Sequence, residues 1–241
     1  MRADLFLVQH GYAKSRSEAQ ATIKAGQVSA DGRPVLKPSQ ALSDAMRIAY
    51  APWHPYVSRG ALKLIAALDR FDLSPKGRVA LDLGASTGGF TEVLLERGAL
   101  KVHAVDVGHG QMDAPLAADP RVALHEGVNV RDLSKGQVGE GVSAITADVS
   151  FISLKLALPP ALALAEPGAW AVLLVKPQFE AGRTAIGKGG IVRDEQSRKA
   201  ALESVKAFVA GQPGWRVLGA MESPIKGGDG NVEYLLAATK S

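Results

Sequence analysis

The hydrophobic pattern of the chain changes near residue 58. Beyond that point, short apolar runs of strand length alternate with stretches in which apolar residues recur at helical spacing. The apolar runs predict strands at 79–83, 102–105, 122–124, 144–147, 170–175, 217–222 and 232–239. The helical stretches predict helices at 59–71, 89–97, 154–165 and 197–210. Buried strands that alternate with helices predict an α/β fold, in which helices cover both faces of a mostly parallel sheet.

The N-terminal part of the chain predicts a separate, small α+β unit. Apolar positions and a closing glycine predict a short helix over 3–11. A second helix, over 16–25, begins after Ser15, which opens a capping-box sequence. Asp31 and Gly32 form an Asp-Gly pair, which is the strongest short-range signal for a tight hairpin turn.

Two prolines within residues 51–57 predict a stiff linker. We therefore expect a small domain over 1–50, the linker over 51–57 and a large domain over 58–241. Trp53 and Tyr56 lie in this linker, where we expect both rings to pack against a domain. Stacking on a nucleic-acid base is the alternative for these two rings.

Composition narrows the classes of protein that the chain can belong to. Apolar residues make up 46% and charged residues 22% of the chain, which are ordinary values for a globular protein. No apolar run approaches the roughly 20 residues that cross a bilayer, and the first residues lack a signal-peptide core. We expect a cytoplasmic protein without a membrane segment. The absence of cysteine excludes disulfides, thiolate zinc sites and a cysteine nucleophile, and no metal site is expected.

Positive charge is concentrated in the first quarter of the chain. Residues 1–60 contain eight lysines or arginines and four acidic residues, while the rest of the chain is balanced, so this segment holds the whole net charge of +4. A cationic module on a neutral body suggests a polyanionic partner such as nucleic acid. An ordinary solvated surface is the alternative.

A glycine-rich segment closes the first predicted strand of the large domain and opens the next helix. Residues 81–90 read LDLGASTGGF, which matches neither a dinucleotide fingerprint nor a P-loop. Asp106 ends the second strand, where a carboxylate can accept hydrogen bonds from ribose hydroxyls. Asn129 follows the third strand and can either read an adenine edge or simply cap a loop turn. Together these features resemble the motifs of Rossmann-like class I methyltransferases that use S-adenosylmethionine.

The ends of later strands carry residues that suggest which atom accepts the methyl group. Asp148 ends the fourth strand, and Lys176 follows the fifth strand directly and precedes Pro177. Open α/β sheets place their chemistry at these strand ends. Residues 148–151 read DVSF and lack the two prolines typical of enzymes that methylate base amino groups. Because the cysteine usual for carbon-5 pyrimidine methylation is also absent, methylation of an oxygen is favoured.

Motifs along nearly the whole chain resemble one family. Residues 2–28, RADLFLVQHGYAKSRSEAQATIKAGQV, resemble the S4 RNA-binding domain. The large domain has VSRGALKL from Val57, DLGASTGGFTE from Asp82, VDVGHGQ from Val105, DVSFIS from Asp148, KPQFE from Lys176, GGIVRD from Gly189 and GNVEY from Gly230. This set resembles the TlyA family, often labelled hemolysin A, whose catalytic body is similar to FtsJ-type methyltransferases.

The resemblance implies a fold, a reaction and site residues. It implies a Rossmann-like class I methyltransferase domain with a mostly parallel seven-stranded sheet, preceded by the S4-like domain. It implies methylation of cytidine ribose 2′-hydroxyls in small-subunit ribosomal RNA and, in some members, large-subunit RNA. The implied partners are ribosomal RNA or ribosomal subunits, with no obligate protein partner. The implied catalytic residues are Lys63, Asp148, Lys176 and Glu233.

Lys176 is assigned as the acceptor of the 2′-hydroxyl proton, oriented by Asp148, although the assignment of the base to one residue stays open. The residues implied to bind S-adenosylmethionine are Gly84, Ser86, Thr87, Gly88, Gly89, Phe90, Asp106, Asn129 and Asp148. The residues expected to contact RNA are Arg2, Lys14, Arg16, Lys24, Arg59, Lys188 and Arg193. The last two belong to a glycine-rich segment, 182–194, which is either a loop that closes over the cleft or a plain surface loop.

Three other functions remain as alternatives at this point. A membrane-lytic protein needs an amphipathic or apolar insertion segment, and none is visible in the sequence. A non-catalytic RNA-binding factor would not need the four charged residues, and it would fail to bind S-adenosylmethionine. An enzyme that methylates a base nitrogen would be identified by the position of the modified atom.

Overall fold

Two structural units make up the chain, Met1–Pro55 and Tyr56–Ser241. The computed structural model describes residues 1–52, 54–182, 185–187, 189–227 and 230–241. The packing predicted for Trp53 and the RNA contact predicted for Lys188 therefore lie outside the described residues.

The N-terminal unit has the predicted α+β composition. Its elements are α1 (Ala3–Gln9), α2 (Arg16–Lys24), β1 (Val28–Ala30), β2 (Arg33–Pro34) and β3 (Ile48–Tyr50). The three strands form an antiparallel sheet in the order β2-β1-β3. Ala19, Thr22 and Ile23 of α2 are buried in the small N-terminal unit.

Local sequence signals account for the start of α2 and for the hairpin. The Ser15 hydroxyl accepts a hydrogen bond from the backbone N–H of Glu18, as a helix N-cap does. The Glu18 carboxylate accepts the N–H of Lys14 at 2.8 Å, one residue earlier than in a standard capping box. Asp31 and Gly32 have φ values of 51° and 74°, and positive φ at both central residues is the requirement of a type I′ hairpin turn.

The large unit contains one seven-stranded sheet, which confirms the predicted fold class. Its strands are β4 (Val79–Leu83), β5 (Lys101–Asp106), β6 (Val122–Glu126), β7 (Val142–Ala147), β8 (Trp170–Val175), β9 (Trp215–Glu222) and β10 (Tyr234–Lys240). They lie in the order β6-β5-β4-β7-β8-β10-β9. The first five strands of that order pair in parallel, and β10 is antiparallel to both of its neighbours.

Helices cover both faces of this sheet. They are α3 (Gly60–Phe71), α4 (Gly89–Glu96), α5 (Ala114–Ala117), α6 (Lys135–Val138), α7 (Leu154–Ala157), α8 (Pro159–Leu164), α9 (Pro177–Glu180) and α10 (Glu195–Ala210), with a 3₁₀ turn at Val130–Asp132. Side chains from α3 and α4 share one core with the sheet, and side chains from α7, α8 and α10 share the other. Trp170, Val172 and Leu174 of β8 face the first core, while the alternate residues face the second, which explains the uninterrupted apolar run of this strand.

The single helix predicted over 154–165 is wrong, because the structure divides this segment into α7 and α8. Pro159 and Pro160 occupy the first two positions of α8. A proline inside a helix lacks the N–H that its turn needs, but it fits the first turn of a new helix. The chain therefore starts a second helix at Pro159.

The topology brings distant parts of the chain to one edge of the sheet. Because β4, β5, β7 and β8 run parallel, their C-terminal ends all lie at the same edge of the sheet. Tyr234, the first residue of the antiparallel β10, pairs with Val175, the last residue of β8. Glu233 therefore enters the sheet at the edge where Lys176 leaves it.

Candidate active site

A buried ion pair joins two of the predicted catalytic residues. Lys63 lies on α3, and its Nζ donates to Oε2 of Glu233 at 2.6 Å. Lys63 is 8% exposed and Glu233 is 3% exposed, so the pair is almost removed from water. Gly227 packs closely against the carboxylate, since a Cβ there would lie 2.5 Å from Oε1 of Glu233. The Glu233 carboxylate is thus fixed by Lys63 on one side and by the backbone of the preceding loop on another.

A second lysine–carboxylate pair lies at the ends of β7 and β8. Nζ of Lys176 is 2.6 Å from Oδ1 of Asp148 and donates to the Ser150 hydroxyl at 2.7 Å. Lys176 is 8% exposed, while the Asp148 side chain is 25% exposed. The ring of Phe179 lies 5.9 Å from the Lys176 ammonium. Lys176 is therefore held by three neighbours, and its carboxylate partner remains open to the cleft.

The two pairs meet at one cleft. Lys63, Asp148 and Lys176 all line a cavity of about 320 Å³. Glu233 lines an adjoining cavity of about 320 Å³ together with Lys176. The structure therefore brings together all four residues that the sequence analysis named as catalytic.

The glycine-rich loop after β4 forms another wall of this cleft. The predicted cofactor residues that line the cavity here are Gly84, Ser86, Thr87, Gly89 and Phe90. Gly84 has φ +79°, and a Cβ there would lie 2.6 Å from the Asp148 carbonyl oxygen, so glycine lets the ends of β4 and β7 meet closely. Gly88 is buried at the start of α4 and lines none of the described cavities.

Asp106 lies in a second cavity, which continues from the first past Gly84 and Ser86. This cavity has a volume of about 460 Å³. The Asp106 carboxylate accepts the backbone N–H groups of Ser86 at 2.9 Å and Gly108 at 2.8 Å. Each carboxylate oxygen can accept two hydrogen bonds, so Asp106 keeps acceptor capacity that faces the cavity.

Asn129 lines the same cavity and also caps the 3₁₀ turn. Its Oδ1 accepts the backbone N–H of Arg131 at 3.1 Å. The side chain therefore has the structural role that the sequence analysis kept as an alternative. Asn129 shares the cavity lining with Val107, Val130 and Ile152, which are apolar.

Asp82 is a fully buried carboxylate behind the glycine-rich loop, and the sequence analysis gave it no role. It accepts hydrogen bonds from the hydroxyls of Thr91 at 2.7 Å and Thr146 at 2.8 Å. Burial raises the pKa of the Asp82 carboxyl to about 6, and the nearby charge of Asp148 acts in the same direction. Asp82 thus ties β4, α4 and β7 together directly beneath the cleft.

Sequence reasoning also missed Ser150 and Phe151, which lie between β7 and α7, and Glu180 at the end of α9. Ser150 lines all three cavities and contacts Lys176. Phe151 is 92% exposed at the cavity mouth, has a left-handed φ of 65°, and lies 5.3 Å from the Phe179 ring. Glu180 accepts hydrogen bonds from the Ser153 hydroxyl and the Leu154 N–H, both at 2.6 Å. The motifs DVSFIS and KPQFE contain these residues and could have pointed to them. In the structure the two motifs are joined by hydrogen bonds, from Lys176 to Ser150 and from Ser153 to Glu180.

The residues predicted to contact RNA are distributed over both units. Arg2 and Arg16 are exposed and share a contact with Asp4. Lys14 and Lys24 are exposed in the same unit. Arg59 lines the cleft of the large unit, whereas Arg193 is exposed and lines none of the described cavities.

The glycine-rich segment 182–194 is attached to the segment that carries Glu233. The Asn231 side chain accepts the N–H of Val192 at 3.0 Å and donates to the Gly190 carbonyl at 3.0 Å. Gly190 and Ile186 line the cavity that contains Glu233. Part of the predicted loop therefore forms a wall of the cleft.

The described residues contain neither a membrane-spanning helix nor a cluster of metal ligands. No helix in the described ranges is both long and apolar enough to cross a membrane. Within the same ranges, no group of three or more His, Asp or Glu side chains could hold a metal ion.

Comparison with protein families assigns both units. The model of the FtsJ-like methyltransferase family matches residues 56–240, and the model of the S4 domain matches residues 1–48.

Individual relatives cover almost the whole chain. The chain is 47% identical to the 16S/23S rRNA (cytidine-2′-O)-methyltransferase TlyA of Mycobacterium tuberculosis, over 98% of this chain and 88% of that protein. It is 40% identical to Hemolysin A of Brachyspira hyodysenteriae, over 98% of each. The structure of a "Putative hemolysin from Streptococcus thermophilus" is 41% identical and superimposes with a TM-score of 0.79, over 100% of this chain and 88% of that one. The chain therefore belongs to the TlyA family, and it joins an S4 domain to an FtsJ-like methyltransferase domain.

Proposed function

We propose that the protein transfers a methyl group from S-adenosylmethionine to a cytidine ribose 2′-hydroxyl in ribosomal RNA. The observation that carries this proposal is the meeting of two lysine–carboxylate pairs beside a glycine-rich loop: the buried Lys63–Glu233 pair and the Asp148–Lys176 pair, whose carboxylate is open to the cleft. Methyl transfer to a hydroxyl needs a group that takes the proton and groups that hold the oxygen in line. The two pairs supply both kinds of group in one cleft.

The residues along the two adjoining cavities fit S-adenosylmethionine. Asp106 has acceptor capacity for a ribose diol, and Val107, Val130 and Ile152 offer apolar walls for an adenine ring. The glycine-rich loop lets backbone groups approach the methionine end. When bound, S-adenosylmethionine would supply the electrophilic methyl carbon, and its sulfonium sulfur would keep the electron pair of the broken sulfur–methyl bond as a neutral thioether.

Lys176 is the proposed proton acceptor. In its neutral form, Nζ takes the proton of the 2′-hydroxyl as the oxygen forms its new bond to carbon. Asp148, 2.6 Å away, then stabilises the ammonium that results, and the Ser150 hydroxyl accepts one of its hydrogen bonds. Near-complete burial of Lys176 keeps competing water away from this proton transfer.

Lys63 and Glu233 are proposed to orient the substrate oxygen. Lys63 uses one of its three ammonium hydrogens for Glu233 and lines the cleft, so it can donate another to the hydroxyl oxygen. The Glu233 carboxylate balances this buried charge. Loss of either partner would leave the other charge uncompensated in a nearly dry site, which would destabilise the folded protein.

Ribosomal RNA is the proposed substrate because the S4 domain model matches the N-terminal unit and the relative from M. tuberculosis is named for 16S and 23S rRNA. The exposed ring of Phe151 at the cavity mouth offers a surface on which an unpaired base can stack. Arg59 adds a cation to the lining of the same cleft. We propose 16S rRNA as a target, with 23S rRNA as a second one, either free or in ribosomal subunits.

The test separates cofactor binding from methyl transfer. Lys176→Ala should bind S-adenosylmethionine with nearly the wild-type affinity in calorimetry and should lose transfer to ribosomal RNA. Lys199→Ala removes the same charge from the exposed surface of α10 and serves as the matched control. Unchanged transfer by Lys176→Ala would refute the assignment of the proton acceptor. Absence of S-adenosylmethionine binding by the wild-type protein would refute the proposed function.

A further inference from the structure

One carboxylate in the N-terminal unit is completely buried beneath two exposed arginines. Asp4, in the first turn of α1, has no exposed side-chain surface. Nε and Nη2 of Arg2 donate to its two oxygens at 3.0 and 3.1 Å. Nε of Arg16 donates at 2.8 Å, and Nε2 of Gln20 donates at 2.7 Å. With the Leu5 backbone N–H, Asp4 accepts five hydrogen bonds in all.

These bonds fix the direction in which each guanidinium points. Arg2 uses its Nε–Nη2 edge for Asp4, and Arg16 uses only Nε. Within the described part of the chain, Nη1 of Arg2 and both terminal nitrogens of Arg16 donate no hydrogen bond. The two side chains are 45% and 54% exposed, so their terminal edges are accessible from solvent.

The arrangement is rigid because Asp4 needs its partners. Burying an ionised carboxylate is costly unless the charge is paired and hydrogen-bonded. The bonds from Arg2, and then those from Arg16 and Gln20, hold the pKa of the Asp4 carboxyl well below its usual range. Asp4 therefore stays charged, and the arginines stay attached to it.

We propose that Asp4 is a positioning residue that turns Arg2 and Arg16 into a rigid two-pronged site for phosphates of structured RNA. The inference rests on the proposed function, which makes RNA the substrate. The terminal edge of a guanidinium binds a phosphate through two parallel hydrogen bonds, which a lysine cannot reproduce. Holding two such edges in place before RNA arrives removes much of the ordering cost of binding.

For the variant Asp4→Asn, the proposal and simple electrostatics predict opposite changes in RNA affinity. Asp4→Asn removes one negative charge from a cationic domain, so nonspecific attraction to RNA should increase. If Asp4 acts by holding the arginines, the same variant should bind RNA more weakly. Asp44→Asn is the matched control, because Asp44 belongs to the same unit, loses the same charge and has an 83% exposed side chain.

The experiment measures binding of the full-length variants to a 16S rRNA transcript over a range of KCl concentrations. Asp4→Asn should bind roughly 10-fold more weakly. Its affinity should also depend less on salt, with the magnitude of the slope of log K against log salt smaller by about one. Asp44→Asn should bind as tightly as the wild type or more tightly. In a background that already carries Arg2→Gln and Arg16→Gln, Asp4→Asn should cause no further loss. Equal or tighter binding by Asp4→Asn, or an equal loss without the arginines, would overturn the proposal.

Thermal unfolding of each variant checks that the N-terminal unit is intact. If Asp4→Asn does not fold, Arg16→Lys tests whether the guanidinium geometry matters for RNA binding, because it keeps the charge and removes the planar edge. That variant should lose binding roughly fivefold or more, and wild-type affinity would overturn the proposal. Failure of the proposed function is separate: it would appear as wild-type protein that binds the transcript without methylating it.

Discussion

Replacement of Asp82 by asparagine is expected to stabilise the protein at neutral pH. Asp82 is fully buried in β4 and accepts hydrogen bonds from Thr91 and Thr146. Burial raises the pKa of its carboxyl from 3.8 to about 6. Near pH 7.5 the side chain is therefore ionised in a place that favours its neutral form.

The size of the effect follows from the two pKa values. The difference between 3.8 and about 6 corresponds to about 3 kcal/mol of unfolding free energy. Because the pKa is raised in the folded protein, the contribution of Asp82 to stability is fully present below pH 3.8 and is lost as pH rises through about 6. Asparagine keeps one acceptor oxygen, and its amide can donate to the second threonine hydroxyl. Asp82→Asn should therefore gain up to about 3 kcal/mol at neutral pH.

The assay is urea unfolding of both proteins between about pH 4 and pH 8. The difference between variant and wild type is the informative quantity, since other titrating groups cancel in it. Asp82→Ala is the matched comparison: it leaves two buried hydroxyls without an acceptor and should lose about 2–4 kcal/mol. An Asp82→Asn variant that is less stable near pH 7.5, or whose advantage is the same at pH 4, would refute the reasoning.

Three further predictions follow from other parts of the large unit. Glu233→Gln should lower the transfer rate by more than about 100-fold and the unfolding free energy by about 3 kcal/mol, because it leaves the buried Lys63 charge without its counter-ion. Single-turnover kinetics and urea unfolding measure the two effects, and unchanged values would contradict the prediction. Phe151→Gly should stabilise the protein by about 1 kcal/mol by relieving a left-handed backbone, yet raise KM for RNA about 10-fold; equal KM values would exclude the stacking role. Burial lowers the pKa of His103, whose Nδ1 is 3.0 Å from Nε2 of His125, to about 4. His103 therefore contributes stability above pH 6.5 that is lost as pH falls through about 4. In urea unfolding, His103→Gln should lose less stability over this acidic range than the wild type. An equal loss of stability in the two proteins would contradict this prediction.

The elements that the sequence predicted best are those with the simplest environment. Parallel strands buried on both faces produce plain apolar runs, so β4 and β8 were predicted with their observed bounds. Lys176 was conspicuous because a charge directly after such a run, followed by a proline, marks a strand end. The division between α7 and α8 was missed because the helical spacing of apolar residues continues across Pro159.

The pairings within the site could not be derived from local pattern. Lys63 and Glu233 are 170 residues apart, and they meet only because β10 inserts antiparallel beside β8. Nothing in the local sequence shows that Phe151 takes a left-handed backbone. Asp4 was equally hidden, since an acidic residue near a helix start ordinarily indicates an exposed position. Each of these features depends on contacts between distant segments.

The most direct test of the central claim is mass spectrometry of ribosomal RNA nucleosides from cells with and without the gene. The proposed function predicts that 2′-O-methylcytidine is lost without the gene. Wild-type protein should restore this nucleoside, and Lys176→Ala should not. An unchanged level of 2′-O-methylcytidine, or the loss of a methyl group from a base nitrogen instead, would contradict the account.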